Sequence, residues 1–202
     1  IYLAAWFSNK EKGRLTAFLL LMGLVLGLVM LEPDMGTAIV ILSEALAIYF
    51  LSGANIVYFS LLLPLIAFLG FIFIKISPYR NKRLEAFLNI DQSIESSSYH
   101  VKQILIALGA GGLTGVGLGN SLQKYAYLPE STTDSIFAII AEELGFVGAA
   151  GLILFFIFII GRCFHIAVNA KDNFGKLLAG GIATFLAVQT IINLAAQTSL
   201  VP

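Results

Sequence analysis

The sequence is poor in charged side chains, and it contains a single cysteine. Lysine, arginine, aspartate and glutamate make up 12% of its 202 residues, whereas soluble domains carry about 25%. The formal net charge is zero, so no basic surface favours nucleic-acid binding. Cys163 alone excludes an intrachain disulfide. No basic stretch precedes the apolar opening IYLAAWF, which argues against a cleavable signal peptide and suggests the end of a helix that begins upstream.

Long apolar runs dominate the chain instead. Hydrophobic residues make up 58% of it, and a membrane-spanning helix needs about 20 mostly apolar residues. The runs predict an all-α polytopic membrane protein, with about five full transmembrane helices and a partial one in a single transmembrane domain over residues 1–202. The predicted full spans are 15–31, 36–52, 55–76, 135–160 and 178–198, and the partial span is 1–7.

Two short polar turns and one long polar loop connect these spans. The turns 8–14 and 161–177 are separated by four crossings and therefore share one side of the membrane. Because the positive-inside rule gives most weight to basic residues in short loops, we place both turns in the cytoplasm. The long loop, 77–134, and residues 32–34 (EPD) then face outward, which makes 77–134 an extracytoplasmic loop. A connection of this length is usually functional or disordered.

The long loop contains two predicted helices and a glycine-rich segment. The first helix, residues 79–90, carries its apolar residues on one face, which suits a helix on the headgroup layer. The second is predicted over residues 99–108. Six glycines follow, which permit an anion-binding nest of backbone amides, although tight packing of a re-entrant loop explains them more simply. They are glycines 109, 111, 112, 115, 117 and 119.

The acidic residues at the start of the fourth full span have two interpretations. Asp134 is placed to cap a helix, since aspartate accepts backbone N–H groups there. It is also placed to act as a general base at the membrane edge, and both roles are compatible. Glu142 and Glu143 follow about two turns later, and we interpret them as buried, hydrogen-bonded structural groups. Glu44 is either such a group or part of a partner interface. A carboxylate, a lysine and glycines at a helix mouth together favour a lipid-linked, phosphate-bearing substrate.

The motifs, in this order, resemble the SEDS family of bacterial division, elongation and sporulation proteins (FtsW, RodA and SpoVE), which are multi-span peptidoglycan glycosyltransferases. Residues 32–38 (EPDMGTA) resemble the family's QPDLGTA, and residues 79–88 resemble its YR..RL..FL. Residues 111–145 resemble its longest signature through GVGLG, QK, YLPE, TD and EELG. Glu32, Thr132 and Ala110 depart from the pattern. Thr132 replaces a histidine frequent in RodA-type members, which favours an FtsW- or SpoVE-like member.

The resemblance implies that the chain is a fragment of a larger protein of roughly ten spans, lacking its N-terminal spans and its last span. It also implies the polymerisation of lipid II into glycan strands during division or elongation. Asp134 matches the family's essential aspartate and is the expected general base. Lys124 and Arg80 are expected to contact the pyrophosphate through charge-assisted bonds, and Arg83 is a weaker candidate.

Further substrate-binding residues follow from the same signature. Asp34 orients substrate, holds a basic partner or caps the next helix. The other expected substrate-binding residues are Gln123, Glu130, Gly112, Gly117 and Gly119. No metal site and no certain cofactor are predicted. A divalent cation, Mg or Mn, between carboxylates and pyrophosphate is compatible with the chemistry, but no ligand spacing requires it.

The implied setting is the bacterial inner (cell) membrane, with the chain as a multi-pass protein. The implied partners are lipid II, membrane lipids and a class B penicillin-binding protein. Two alternative functions stay open. Intramembrane carboxylates and a glycine-broken polar segment also suit a lipid II flippase, and a non-catalytic scaffold for the penicillin-binding protein would need no base at all.

Overall fold

The computed structural model describes residues 1–9, 14–31, 35–76, 81, 99–123, 135–198 and 200. Within these ranges it has no β-strand, and seven α-helices have their limits described. The all-α prediction is therefore confirmed for this part of the chain. The helices are α1 (Tyr2–Ser8), α2 (Arg14–Leu31), α3 (Met35–Leu51), α4 (Ile56–Ile76), α5 (Tyr99–Ala110), α6 (Ile136–Asn169) and α7 (Asn173–Gln197).

Most predicted helix limits agree closely with the structure. Helices α2, α3 and α4 cover the first three predicted full spans, and α5 continues past Leu108 to Ala110. The predicted boundary at residues 32–34 lies outside the described residues, as does the predicted surface helix 79–90 except for Asn81. The single-domain organisation and the extracytoplasmic loop 77–134 stay predictions.

The predicted turn at 161–177 is wrong. Helix α6 continues to Asn169 and α7 begins at Asn173, so residues 170–172 alone connect them. Arg162 is exposed within α6, and a long basic side chain can reach water or headgroups without ending a helix. The helix-starting signal is Asp172, whose Oδ2 accepts the N–H of Gly175 at 2.7 Å, as an N-cap carboxylate does.

Two of the described helices, α6 and α7, are long and apolar enough to cross a membrane. Only 11% of the most apolar part of α6 is buried, and Leu154, Phe155 and Phe158 are exposed there. Shorter apolar helices occupy Leu15–Leu31, Met35–Leu51 and Ser60–Ile72. Such extensive exposed apolar surface suits lipid rather than water.

The chain packs as two compact units, of which the first contains residues 1–65 and 157–190. Its core includes three aromatic rings from α1, α2 and α3. Phe18 stacks on Tyr49 with 4.9 Å between ring centroids. Phe7 meets both rings edge-on, at 5.6 and 5.7 Å. Edge-on and offset arrangements are the favourable ones for aromatic pairs, so this cluster fixes the three helices against one another.

The first unit also contains a cavity of about 310 Å³. Glu44 contributes a carboxylate to a lining that is otherwise apolar, with Ile48 from α3 and Leu178, Ile182 and Phe185 from α7. Glu44 is partly exposed. Among the described residues predicted for substrate binding, Gly112, Gly117, Gly119 and Gln123, none lines this cavity.

Candidate active site

The described residues of the candidate site lie in the second compact unit, residues 66–156 and 191–202. Its core joins α5 to the start of α6. Ile104 and Ala107 of α5 pack against Ala138 and Ile139 of α6, and all four are buried. Alanine on both sides allows the two helices to approach closely. The segment that follows α5, residues 111–123, therefore starts beside the first turns of α6.

Helix α6 is broken at Gly145. This residue has φ 69° and ψ −169°, a conformation that is open essentially only to glycine. The element consequently has a short helical part, 136–144, and a long one, 146–169. In a continuous α-helix each N–H donates to the carbonyl four residues earlier. The break therefore removes the helical partners of the groups on either side of it.

The N–H groups after the break donate to the glycine-rich segment. The N–H of Phe146 donates to the Gly112 carbonyl at 2.9 Å, and the N–H of Val147 donates to the Leu113 carbonyl at 3.2 Å. In an unbroken helix these two groups would donate to Glu142 and Glu143. The glycine-rich segment thus supplies acceptors for the amides that the break leaves free.

The carbonyls before the break accept from the same segment. The Glu142 carbonyl accepts the N–H of Val116 at 3.0 Å, and the Glu143 carbonyl accepts the N–H of Gly117 at 3.0 Å. All four backbone groups freed by the break are thereby paired. Irregular backbone inside a membrane protein requires this kind of satisfaction, so residues 111–117 and the broken helix form one hydrogen-bonded structure, which we call the latch.

Glycine is required in the latch for steric reasons. A Cβ at Gly111 would overlap the Ala141 carbonyl, and one at Gly115 would overlap the Glu143 carbonyl oxygen. A Cβ at Gly145 would overlap the Gly115 amide nitrogen and lie 2.6 Å from the Leu113 carbonyl oxygen. The tight-packing explanation of the glycines is confirmed at Gly111 and Gly115.

The glycines predicted to bind substrate have a different environment. Gly112 and Gly119 have positive φ angles, 51° and 82°, with open space where a Cβ would lie. Gly117 has φ 99°, and its Cβ would come 3.0 Å from Nδ2 of Asn120. These positions need glycine for backbone conformation rather than for packing. Open space at Gly112 and Gly119 leaves the backbone approachable, and substrate contact there stays a prediction.

Glu142 also binds the segment through its side chain. Its Oε2 accepts the Ser121 hydroxyl, and its Oε1 accepts the N–H of Leu122 at 3.3 Å. Glu142 is 3% exposed and Ser121 is 1% exposed. The interpretation of Glu142 as a buried, hydrogen-bonded group is confirmed. A buried carboxylate is stable only with such partners.

Two other buried side chains keep an oxygen available. Oε1 of Glu143 and Oε1 of Gln123 have no hydrogen-bond partner in the described part of the chain. Gln123 is 8% exposed and Glu143 is 9% exposed. Buried polar atoms are normally satisfied, so each of these oxygens is suited to accept a hydrogen bond from another molecule or segment. Gln123 was predicted from the sequence to bind substrate.

Most of the predicted site residues lie outside the described residues. The structure places Gln123, Gly112, Gly117 and Gly119 in the segment after α5, and it brings Gly112 and Gly117 onto α6. The convergence of the others around one cavity stays a prediction. Those others are Asp134, Lys124, Arg80, Arg83, Asp34 and Glu130.

The residue after Asp134 is firmly held. Ser135 is fully buried, and its carbonyl accepts the N–H groups of Ala138 at 3.0 Å and Ile139 at 3.3 Å. The Ala138 N–H also donates to Oε1 of Gln197 at 2.9 Å. Sequence reasoning missed the roles of Gly145 and Gln197. Gly145 closes the EELG motif and could have been questioned there, whereas no local signal distinguishes Gln197.

No metal centre is formed by the described residues, since no three His, Cys, Asp or Glu side chains among them are close enough to hold an ion. Both aspartates of the predicted site, Asp34 and Asp134, lie outside those ranges. The described residues therefore provide no observation that fits a divalent cation.

The described part of the chain has apolar helices with exposed surfaces and a broken helix that is hydrogen-bonded to a glycine-rich segment. These features are those of a helical membrane protein with a polar site at a helix break. The family model for FtsW, RodA and SpoVE, described as "Cell cycle protein", matches residues 1–202. The chain belongs to this family. The resemblance found in the sequence motifs is confirmed.

Two curated relatives show how much of a full-length member the chain represents. It is 43% identical over 211 residues to a probable peptidoglycan glycosyltransferase FtsW of Coxiella burnetii, covering 100% of this chain and 57% of the relative. It is 39% identical over 208 residues to the stage V sporulation protein E of Bacillus subtilis, again with 100% and 57% covered. The chain therefore spans about half the length of the curated relatives it matches.

A solved structure supports the fold. It comes from work on the structural coordination of polymerization and crosslinking by a peptidoglycan synthase complex, and it matches with a TM-score of 0.71 at 23% identity. The match covers 96% of this chain and 55% of the solved chain. At this level of identity the likeness concerns the fold.

Proposed function

We propose that the protein containing this chain polymerises lipid II into glycan strands at the outer face of the bacterial cell membrane. Relatives that bear the name probable peptidoglycan glycosyltransferase support this assignment. The observation that carries it is the latch. It holds the segment that ends in Gln123 against the helix that follows Asp134. The described parts of the signature before and after residues 124–134 are therefore joined by hydrogen bonds.

The proposed reaction joins two sugars and releases a lipid pyrophosphate. The 4-hydroxyl of the acceptor GlcNAc attacks the anomeric carbon of the donor MurNAc, and Asp134 takes the hydroxyl proton. The bond from the anomeric carbon to the pyrophosphate oxygen breaks, and its electron pair leaves with the phosphate. Lys124 and Arg80 stabilise the negative charge that develops there, with Arg83 as a weaker contact.

The start of α6 favours this role for Asp134. Asp134 comes two residues before the first helical residue, Ile136. The free N–H groups at a helix start carry partial positive charge, which favours an ionised carboxylate. An ionised carboxylate is the form that can accept a proton. Asp34, Gln123 and Glu130 complete the proposed substrate contacts, with the open backbone at Gly112, Gly117 and Gly119.

The proposed membrane arrangement follows from the same assignment. Helices α2, α3, α4, α6 and α7 are the five proposed full spans, and α1 covers the predicted partial span. The loop 77–134 faces the extracytoplasmic side, where the polymer is made. A class B penicillin-binding protein is the proposed partner, and the match to a synthase complex supports that pairing. No step of the proposed reaction passes through a divalent cation.

The experiment is a lipid II polymerisation assay on the full-length protein in detergent or nanodiscs. Asp134→Asn should abolish glycan chains, while Asp91→Asn, in the same loop but outside the signature, should preserve them. Lys124→Ala should chiefly weaken use of the pyrophosphate-linked donor. Each variant is accepted only if it inserts and elutes as the parent protein does.

Three results would count against the assignment. Normal glycan chains from Asp134→Asn would remove this residue from the base role. Lipid II translocation across liposomes without polymerisation by the parent protein would favour a flippase. Equal stimulation of the penicillin-binding partner by the parent protein and by the Asp134→Asn variant would favour a scaffold.

A further inference from the structure

Glu142 joins the two sides of the segment that carries the proposed chemistry. The structure describes the residues up to Gln123 on one side of this segment, residues 124–134, and those from Ser135 on the other. On the first side, Ser121 and Leu122 donate hydrogen bonds to the Glu142 carboxylate. On the second side, Glu142 belongs to α6, which begins immediately after Ser135. One buried side chain therefore joins residues 121–122 to α6.

We infer that Glu142 is a positioning residue, which holds residues 121–122, just before Lys124 in sequence, against the helix that follows Asp134. The inference rests on the proposed function, because the two residues matter as phosphate contact and base. Lys124 follows Ser121 by three residues, and Asp134 precedes Glu142 by eight. Loss of the bonds from Ser121 and Leu122 would therefore release the chain from α6 within three residues of Lys124.

The contacts are suited to this task. Both carboxylate oxygens are used, one on a side-chain hydroxyl and one on a backbone amide. The Glu142 carbonyl adds a third bond, from the N–H of Val116. Hydrogen bonds to a charged acceptor are about twice as strong as neutral ones, and at 3% exposure water does not compete for the carboxylate. The carboxylate therefore holds residues 121–122 on α6, beyond the part of the segment that the latch holds.

Misplacement should reduce the rate much more than it reduces stability. Reacting groups must be held close to their productive geometry, and an error of about 1 Å can lower the rate about 100-fold. The latch itself retains its four backbone hydrogen bonds when only the Glu142 side chain changes. Loss of this side chain should therefore leave a folded protein whose catalytic groups are poorly aligned.

Glu143 provides a matched control within the chain. It is the next residue of α6, has the same chemistry and is also buried, at 9% exposure. Its Oε1 has no partner in the described part of the chain, and no described hydrogen bond joins its side chain to residues 121–122. Its substitution tests the effect of altering a buried carboxylate on α6 without releasing the segment.

The experiment compares three variants of the full-length protein by lipid II polymerisation kinetics. Glu142→Leu removes both acceptor oxygens and keeps a side chain of similar size. It should lower kcat about 100-fold, with a smaller change in KM. Glu142→Gln keeps an acceptor for the Leu122 N–H and can donate to the Ser121 hydroxyl, so it should remain within about tenfold of the parent. Glu143→Gln should lie closer to the parent than Glu142→Leu.

Two further readouts separate positioning from a structural or chemical role. The acid limb of the pH–rate profile should stay in place in Glu142→Gln, because Glu142 transfers no proton in the proposed reaction. Hydrogen exchange at the Leu122 amide should accelerate in Glu142→Leu while the latch amides of Phe146 and Val147 stay protected. The exchange measurement needs no activity, so it stands even if the proposed function fails.

The inference is overturned by any of three results. Glu142→Leu could keep the parent kcat while Leu122 exchange accelerates. Glu142→Gln could be as inactive as Glu142→Leu, which would indicate that the charge or a proton is needed. Unfolding of Glu142→Leu, with Glu142→Gln and Glu143→Gln equally impaired, would assign a purely structural role. Activity retained by Asp134→Asn instead contradicts the proposed function and leaves the exchange result to judge Glu142.

Discussion

Gln197 accepts the backbone N–H of Ala138 through its Oε1 at 2.9 Å. The two residues are 59 positions apart, and Gln197 is 4% exposed at the last position of α7. The N–H groups in the first turn of a helix lack full intrahelical partners. The end of α7 therefore caps the start of α6, next in sequence to the proposed catalytic aspartate.

Removal of this cap should destabilise the start of α6. Gln197→Met keeps the length of the side chain but loses the acceptor, and it should lower stability by about 1 kcal/mol. The loss should be no larger, because the Ala138 N–H still donates to the Ser135 carbonyl. Gln197→Glu keeps an acceptor, but a charge at this buried position costs free energy, so we expect no gain in stability over the parent. Thermal unfolding and hydrogen exchange at Ala138 measure both effects.

The control for this prediction is Gln189→Met. Gln189 lies on the same helix and is exposed, so its substitution should change stability by less than about 0.5 kcal/mol. Equal effects of the two methionine substitutions would show that the bond from Ala138 contributes nothing to stability.

Alanine at two neighbouring glycines should have opposite effects. A Cβ at Gly111 would overlap the Ala141 carbonyl, and backbone cannot move aside easily, so Gly111→Ala should cost about 3 kcal/mol. Gly109 is within α5 with nothing close to a new Cβ, so Gly109→Ala should stabilise the helix by up to about 1 kcal/mol. Unfolding temperatures of the two variants check the signs, and losses of similar size would contradict close packing at Gly111.

The break in α6 gives a second matched pair. Gly145→Ala places a side chain at φ 69° and against the Leu113 carbonyl. A left-handed conformation alone costs a residue other than glycine about 1–2 kcal/mol. We expect a poorly folded, inactive protein. Gly151 lies later in the same helix with open space around it, so Gly151→Ala should be tolerated. Expression yield and size-exclusion profile distinguish the two, and a well-folded Gly145→Ala would show that the latch is dispensable.

These pairs also show what the sequence can and cannot predict. Apolar run length is a local property, and it predicted α2, α3 and α4 to within a residue or so. The conformation of Gly145 is set by the approach of Gly115, thirty residues earlier in the chain. The EELG motif draws attention to Gly145, but no local feature of the sequence indicates which distant residue it contacts. The same holds for Gln197, whose partner lies in another helix.

The error at 161–177 has a different physical origin. A polar residue within a helix and a polar residue in a turn look alike in the sequence: Arg162 lies within α6, whereas Asp172 marks the start of α7. For the site, motif order placed Gly112, Gly117 and Gln123 in one segment, and their contact with substrate stays a prediction. The positions of Asp134, Lys124 and Arg80 stay predictions, because they lie outside the described residues.

The proposed orientation predicts which side of the membrane can be labelled. In a Cys163→Ser background, Lys171→Cys lies between α6 and α7, on the predicted cytoplasmic side. Leu118→Cys lies in the glycine-rich segment on the predicted outer side. Both positions are exposed. A membrane-impermeant maleimide added to intact spheroplasts should label only Leu118→Cys, and lysis should make Lys171→Cys reactive. The reverse pattern would invert the topology and place the proposed base on the wrong side.

The break in α6 has a consequence for how the protein assembles in the bilayer. Glycine is also able to adopt helical angles, so α6 can enter the lipid as one straight rod in which Phe146 and Val147 donate to Glu142 and Glu143. When residues 111–117 dock, these two bonds are replaced by four. The rod can therefore form first and bend afterwards without ever exposing a bare peptide group to hydrocarbon. We therefore expect the bend to form late in membrane folding, when residues 111–117 supply its hydrogen-bond partners.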